Sequence, residues 1–397
     1  MAQFSGKNGS TSTISLNPAI MGKLKPGKIY KTAVEPAPPP TPGSRQTSGP
    51  RHITGLSFDD RGDQVITAGE DDTFRLYSCK NGKLLKTLYS RKYGVDLPRF
   101  THKSTALIHA STKGDEDAVR YHSLHDNKYL QYFRGHTDRV ISLEMSPVDD
   151  GFISSSMDRT VRLWDLRSPA CRGLLTLPAP AVVAYDATGA VFAVAVNQYS
   201  RILMYDVRNY DKEPFLTVAL DDPTLRLISF PPRIPFMTSL SFSSDGKLLL
   251  VGCSGGAHYV LDAFEGHLLA KLELPDNNLG LERRRPEERI GIQPQRGCSG
   301  EEVSWTPDSR FIVGGGLDGR VSIWDAGQIQ PRDNPDPNTP PLRLQPQTRL
   351  DGHPGPARCV RFNPRLAMMA SAGQELAFWL PDQTADAEEL AKELLKK

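Results

Sequence analysis

The stretch GHTDRVISLEMSPVDDGFISSSMDRTVRLWD, residues 135–165, decides the fold. Its apolar residues fall in short alternating runs: Val140, Ile141 and Leu143, then Phe152 and Ile153, then Val161 and Leu163. Turn-formers such as Pro147-Val148-Asp149-Asp150 separate them, so the segment reads as strands joined by hairpins, without helical periodicity. Gly135-His136 at its start and Trp164-Asp165 at its end carry the spacing of one propeller blade.

Aligning the rest of the chain to this repeat places third-strand ends near Tyr77, Tyr121 or His122, Trp164, Tyr205, Leu261, Trp324 and Trp379. The early intervals are close to the roughly 40–45 residues of such a repeat and the later ones are longer. The reading is all-β, a seven-bladed WD40 β-propeller over residues 27–382. Blade six shows Val303-Ser304-Trp305, Gly314-Gly315-Gly316-Leu317-Asp318 and Ile323-Trp324-Asp325; blade seven shows Gly352-His353 and Phe378-Trp379; blade one shows Glu70-Asp71-Asp72 and Arg75-Leu76-Tyr77. Blades two, four and five rest on position and alternation. The ring needs its last blade completed, and Gly27–Ala33 is the expected donor, which leaves no open edge. Residues 1–26 read as a disordered tail, 34–51 as a Pro-rich loop, and 383–397 as a short helix or tail. Insertions near 221–235, 273–297 and 328–347 are Pro-rich or charged and read as surface loops.

The composition fits this reading. Of 397 residues, 38% are hydrophobic and 24% charged, and 48 basic against 46 acidic residues leave a net charge of +2, so no global field points to nucleic acid or membrane. The five cysteines stand singly with no CxxC pair, which points to reduced thiols in a cytosolic or nuclear protein. No basic-then-apolar leader and no run of 18 apolar residues appears.

Catalytic, metal-binding and cofactor motifs are absent from the sequence. His136, Asp158 and Ser154 or Ser156 invite a triad reading, but in a blade these types link loop, turn and strand in one internal network with Trp164. Asp71, Asp318, Trp324, His353 and Trp379 are expected to play the same part in their own blades, the tryptophans as fillers between blades. Arg283-Arg284-Arg285 with Lys271 and Arg289 could hold phosphate or direct import, yet Glu282, Glu287 and Glu288 dilute it, and a solvated loop is the plainer reading. Binding should then lie on loops of a rigid scaffold. The turn before the first strand of a blade offers Asp138 and Arg139 in blade three, and Ala357 and Arg358 in blade seven.

Several runs go beyond the generic repeat. Residues 88–96 (LYSRKYGVD), 123–129 (SLHDNKY), 145–150 (MSPVDD), 162–169 (RLWDLRSP) and 377–381 (AFWLP) resemble the WD-repeat subunit shared by the COMPASS histone H3 lysine 4 methyltransferase complex and the cleavage and polyadenylation machinery. The resemblance implies a nuclear, non-catalytic scaffold. Its partners would be a SET-domain methyltransferase with other COMPASS subunits, cleavage and polyadenylation factors, and the RNA polymerase II C-terminal domain. Tyr93, Gly94, Asp96, His125, Asp126 and Asn127 are the matching positions that become candidate partner contacts. No sequence-specific nucleic-acid binding is expected. The competing readings are a WD-repeat adaptor of a ubiquitin ligase or trafficking coat, a propeller enzyme with acid and base groups near its channel, and a direct nucleic-acid binder.

Overall fold

A computed structural model describes residues 2–5, 11–37, 50–114, 116–226, 236–254, 257–274, 302–316, 318–330 and 339–382. Seven antiparallel sheets form the blades: 53–89, 96–133, 140–176, 181–219, 236–273, 303–325 completed by 348–350, and 359–381 completed by 24–30. Strands are lettered a to d within each blade in chain order. Strand a of every blade touches strand a of the next, and blade 7 meets blade 1, so these strands line a closed channel. Strand b lies between two others and is buried throughout in the clearest cases, as in Gly151–Ser156 (GFISSS). Strand d of blade 1, Lys83–Tyr89, is largely exposed, with only Leu88 buried.

Burial is organised by interface. Among the described residues there are seven apolar clusters, one at each junction of adjacent blades. Ile66, Phe74 and Leu107 sit between blades 1 and 2; Phe133, Phe152 and Trp164 between 2 and 3; Trp324 between 5 and 6; Trp379 between 6 and 7. A blade therefore has no core of its own, and the apolar driving force acts on the ring as a whole.

The N-terminal boundary differs from expectation. Strand d of blade 7 is Leu24–Tyr30, paired with Leu376–Pro381, and Pro26 sits at a shift in register where its missing N–H does no harm. Before it, a short helix Pro18–Gly22 is capped by the Asn17 side chain, and Leu16, Met21 and Leu24 are buried in the blade 6–blade 7 cluster. Ala2–Ser5 pairs with Thr11–Ile14. The tail thus does not run to residue 26; buried apolar residues hold the chain from Leu16 onward.

Two insertions also carry structure. Leu342–Leu344 pairs parallel to Leu268–Glu273 as a fifth strand of blade 5, with Leu344 buried and Arg343 3.7 Å from Glu273. The chain then returns as Thr348–Leu350 to complete blade 6. In the first insertion a single turn, Pro223–Arg226, buries Leu225. The Arg283–Arg285 run, most of the loop at 34–51 and residues 383–397 lie outside the described residues.

Because strands are antiparallel, d–a loops and b–c turns share one end of the ring, and a–b and c–d turns share the other. At the a–b end the turns are linked side by side. His102 Nδ1 faces Asp60 of blade 1 at 2.9 Å, and its Nε2 faces the carbonyls of Ser146 and Asp149 of blade 3, both at 3.1 Å. Both nitrogens meet acceptors, so the imidazolium is the form this site satisfies, and its pKa is raised, chiefly by the Asp60 hydrogen bond. A raised folded pKa means the contribution is complete below the unfolded value of about 6.5 and is lost as pH rises through the folded value. In an NMR titration His102 should hold its proton above the ordinary histidine range, and Asp60→Asn should bring it down; an unchanged midpoint in the variant would sink this reading.

Candidate functional site

Blade 3 assembles its network as one relay. The Trp164 indole N–H donates to Ser154 Oγ at 2.8 Å, Ser154 Oγ meets His136 Nε2 at 2.8 Å, and His136 Nδ1 meets Asp158 Oδ2 at 3.0 Å. Asp158 also accepts from the Thr137 and Thr160 amides at 3.0 and 2.8 Å and from the Thr160 hydroxyl at 2.7 Å. Burial holds the His136 pKa down despite Asp158, so the ring is neutral: Nδ1–H donates to the carboxylate and Nε2 accepts from serine. Burial acts to raise the Asp158 pKa, but its donors outweigh that and hold it low. The order serine, histidine, aspartate is that of a hydrolase triad. Ser154 is nonetheless wholly buried and already accepts from Trp164, so no substrate carbonyl can reach it. Asp158→Ala should destabilise the chain by about 1–3 kcal/mol by orphaning these donors; an unchanged thermal midpoint would show that the network is ornamental.

The other blades depart from this pattern for readable reasons. Blade 7 keeps Trp379–Ser371–His353, at 2.7 and 2.6 Å, but no aspartate completes it among the described residues. His353 Nδ1 is buried without a hydrogen-bond partner there, and burial lowers its pKa to about 4. In blade 6 Gly314 stands where blade 3 has Ser154, so the buried Trp324 N–H has no acceptor among the described residues, and Asp318 pairs instead with Arg349 at 2.7 Å. Asp71 of blade 1 takes Arg75 Nη1 and the Thr73 hydroxyl, both at 2.8 Å, in place of a histidine.

The candidate contact residues divide. Asp96 is buried and accepts from Arg139 Nη2 at 3.1 Å, and burial raises its pKa against that pull, so it is an internal pin between blades 2 and 3. Arg358, likewise one residue before strand a, reaches Glu70 of blade 1 at 3.8 Å. Asp138 is exposed at the same end. His125, Asp126 and Asn127 form the exposed c–d turn of blade 2, with Asn127 left-handed at φ 56°. Lys86 of blade 1 donates to the Leu124 carbonyl at 3.0 Å and to that of His125, and Asn127 Oδ1 meets His122 Nε2 at 2.8 Å.

Tyr93 belongs to a cluster that sequence reasoning missed. Arg120, almost wholly buried, lies 3.5 Å from the Tyr93 ring centroid, 4.9 Å from Tyr132 and 5.6 Å from Tyr129, and its Nε donates to Ser111 at 2.8 Å. Tyr93 meets Tyr129 edge-on at 5.4 Å, and the Tyr129 hydroxyl bonds Ser90 at 2.6 Å. Gly94, at φ 67°, turns the loop where a side chain would strike Thr112. The whole run 89–96 is thereby fixed to blade 2, with Tyr89, Arg91 and Lys92 exposed on it. The signal was an arginine in the third strand of blade 2, Val119–Ser123, directly across from Tyr132 on the next strand.

Comparison with known proteins bears on the blades. The WD domain, G-beta repeat model matches residues 43–78, 127–165 and 301–325, within blades 1, 3 and 6 and the end of blade 2. WD repeat-containing protein 82 of Drosophila melanogaster is 43% identical over 330 residues, 83% of this chain and 90% of the relative. The chain belongs to the Swd2 and WD repeat-containing protein 82 family. Within that family, the Schizosaccharomyces pombe Set1 complex component swd2 is 36% identical over 82% of the chain and 92% of its own length. The Saccharomyces cerevisiae COMPASS component SWD2 is 32% identical over 94% of the chain and its whole length. Among the described residues no group of three or more His, Cys, Asp and Glu side chains could hold a metal, and no helix is long and apolar enough to cross a membrane.

Proposed function

We propose that this chain is a non-catalytic WD-repeat adaptor subunit of a nuclear Set1/COMPASS-type histone H3 lysine 4 methyltransferase complex. The observation that carries it is full-length kinship to two relatives whose names place them in that complex. The buried Ser154–His136–Asp158 relay supports an adaptor over a hydrolase, because this triad-like set is closed to substrate. The docking surface we favour is the outer flank of blades 1 and 2, where the turn His125, Asp126 and Asn127 lies against the last strand of blade 1, Asn127 reaching the Tyr89 carbonyl at 3.5 Å, just before the pinned loop with Tyr93; Asp138 is exposed at the d–a end. Rigid presentation lowers the ordering cost of binding there. Links to cleavage and polyadenylation factors, to transcription termination and to the RNA polymerase II C-terminal domain are the finer part of this proposal.

Affinity purification of the tagged chain from nuclear extract, with mass spectrometry of its companions, tests both levels. A SET-domain methyltransferase with other WD-repeat subunits is the expected set, and cleavage factors in a separable fraction would support the finer part. Recovery of a ubiquitin ligase or coat in their place would overturn the assignment and leave the propeller standing. His125→Ala with Asp126→Ala, on an exposed turn, should weaken capture without altering the thermal midpoint.

A further inference from the structure

The a strands of blades 2 to 7 enclose a chamber of about 220 Å³ in the central channel. Its charged lining is Arg99 from blade 2, Glu144 from blade 3 and Arg361 from blade 7; the rest is apolar or hydroxyl-bearing. Glu144, Arg361, Ser241 and Ser304 also line a second space of about 290 Å³ that opens toward the a–b end beside Asp186 and Trp305, so the chamber is continuous with solvent.

The lining hydroxyls are not equivalent. Ser142 Oγ exchanges hydrogen bonds with the Val183 backbone, at 3.3 Å to its carbonyl and 3.2 Å from its amide, and Ser304 Oγ donates to the Val360 carbonyl at 2.8 Å. These fasten neighbouring blades. The Thr238 hydroxyl, in contrast, is buried with no hydrogen-bond partner among the described residues. Arg99 anchors one Nη on the Pro98 carbonyl at 2.9 Å. Two guanidinium groups against one carboxyl leave an excess of positive charge in a narrow lumen walled by protein, where field lines are focused and a small anion is favoured over a cation.

We propose that this chamber binds a small free oxyanion of the phosphate or sulfate class, held between Arg99 and Arg361 with the Thr238 hydroxyl as a further donor. Guanidinium forks suit tetrahedral oxyanions, and a hydroxyl without a partner supplies the remaining donor. Burial pushes the Glu144 pKa up to about 7, against the opposing pull of Arg99, Arg361 and the Tyr185 amide. The groups that face it are those two arginines and the Tyr185 phenol; blades 5 and 6 present neutral Ser241, Ser304 and Trp305, and Asp186 stands at the mouth. Protonation of Glu144 removes the one carboxylate charge among the described residues that line the chamber, so anion binding tightens as pH falls through neutrality.

Calorimetric titration of the full chain with inorganic sulfate, whose charge is constant across neutrality, tests this at matched ionic strength. One equivalent should bind, more tightly below neutrality than above it. Arg361→Met and Arg99→Met should each weaken binding about tenfold or more. Arg91→Met, on the exposed rim, should not. Glu144→Gln should bind more tightly above neutrality and flatten the pH dependence, and it remains informative if an arginine variant fails to fold. Inorganic phosphate should compete with sulfate for the same equivalent. Absence of binding at roughly ten millimolar sulfate, or binding that neither the arginine variants nor Glu144→Gln alters, would overturn the proposal.

Discussion

Asp222→Ala should lower the stability of the chain by about 3–5 kcal/mol, because it strands a buried lysine charge. Lys271 lies on strand d of blade 5 with only 4% of its surface exposed, and its Nζ is 3.0 Å from Asp222 Oδ2 and 3.4 Å from the Thr224 hydroxyl. Asp222 further accepts from the Tyr259 hydroxyl at 3.1 Å and from the Thr224 amide and hydroxyl at 2.9 and 2.7 Å. Burial acts to raise its pKa, but these donors and Lys271 hold it below the ordinary carboxylate value. A depressed folded pKa means the contribution is complete above the unfolded value of about 3.9 and disappears as pH falls through the folded one. Thermal unfolding of Asp222→Ala, Lys271→Met and the pair Asp222→Leu with Lys271→Met separates the terms. The single aspartate variant should melt far earlier and the double variant should recover most of the loss, since replacing both charges removes the desolvation cost. Equal losses in the aspartate variant and the double variant would show that packing, not charge, dominates. Lys271 is accordingly no part of a basic surface with the Arg283–Arg285 run.

The second large effect is at Arg120. Arg120→Ala should cost about 2–4 kcal/mol, from the lost packing of a buried side chain and the lost contacts of a desolvated cation with three rings. It should also release the loop that carries Tyr93. Hydrogen exchange at Tyr93, Gly94 and Val95 should rise well beyond what the global destabilisation accounts for, whereas amides of blade 5 should change only with global stability. Arg120→Lys keeps the charge but not the planar face and should fall between the two. If exchange at 93–95 followed the global value alone, Arg120 would be a core residue and not the anchor of the rim.

These two sites mark where the sequence was hard to read. All seven third strands fall where alternation and the Trp, Tyr or Leu positions placed them, because successive side chains of a strand point to opposite faces and so pack against different neighbouring blades. Lys271 and Arg120 break that pattern: a charge on an outer or half-buried strand ordinarily points to water, and their partners are distant in the chain. Asp222 carried a usable signal. Asp71-Asp72-Thr73, Asp158-Arg159-Thr160 and Asp222-Pro223-Thr224 all place threonine two residues after aspartate, and in each the aspartate accepts from both the threonine amide and its hydroxyl. Leu342-Arg343-Leu344 was lost among prolines, since three residues are too few to show a period. Of the candidate contacts, Asp96 looked available because its d–a loop position ordinarily faces solvent. Arg139 lies 43 residues away, and only the packing of blade 3 against blade 2 brings the two together.

The pairing of Leu24–Tyr30 with Leu376–Pro381 gives the chain a particular history each time it is made. The strand that completes the final blade is translated before all seven blades' other strands and waits until Leu376–Pro381 has been made. Until then the five seams from blades 1–2 to blades 5–6 can form in order, but the last blade offers an open edge and the early strand has nothing to join. A nascent chain that stalls short of residue 376 is therefore an unclosed ring with an adhesive side, and the contacts become circular only once residues 376–381 have been made.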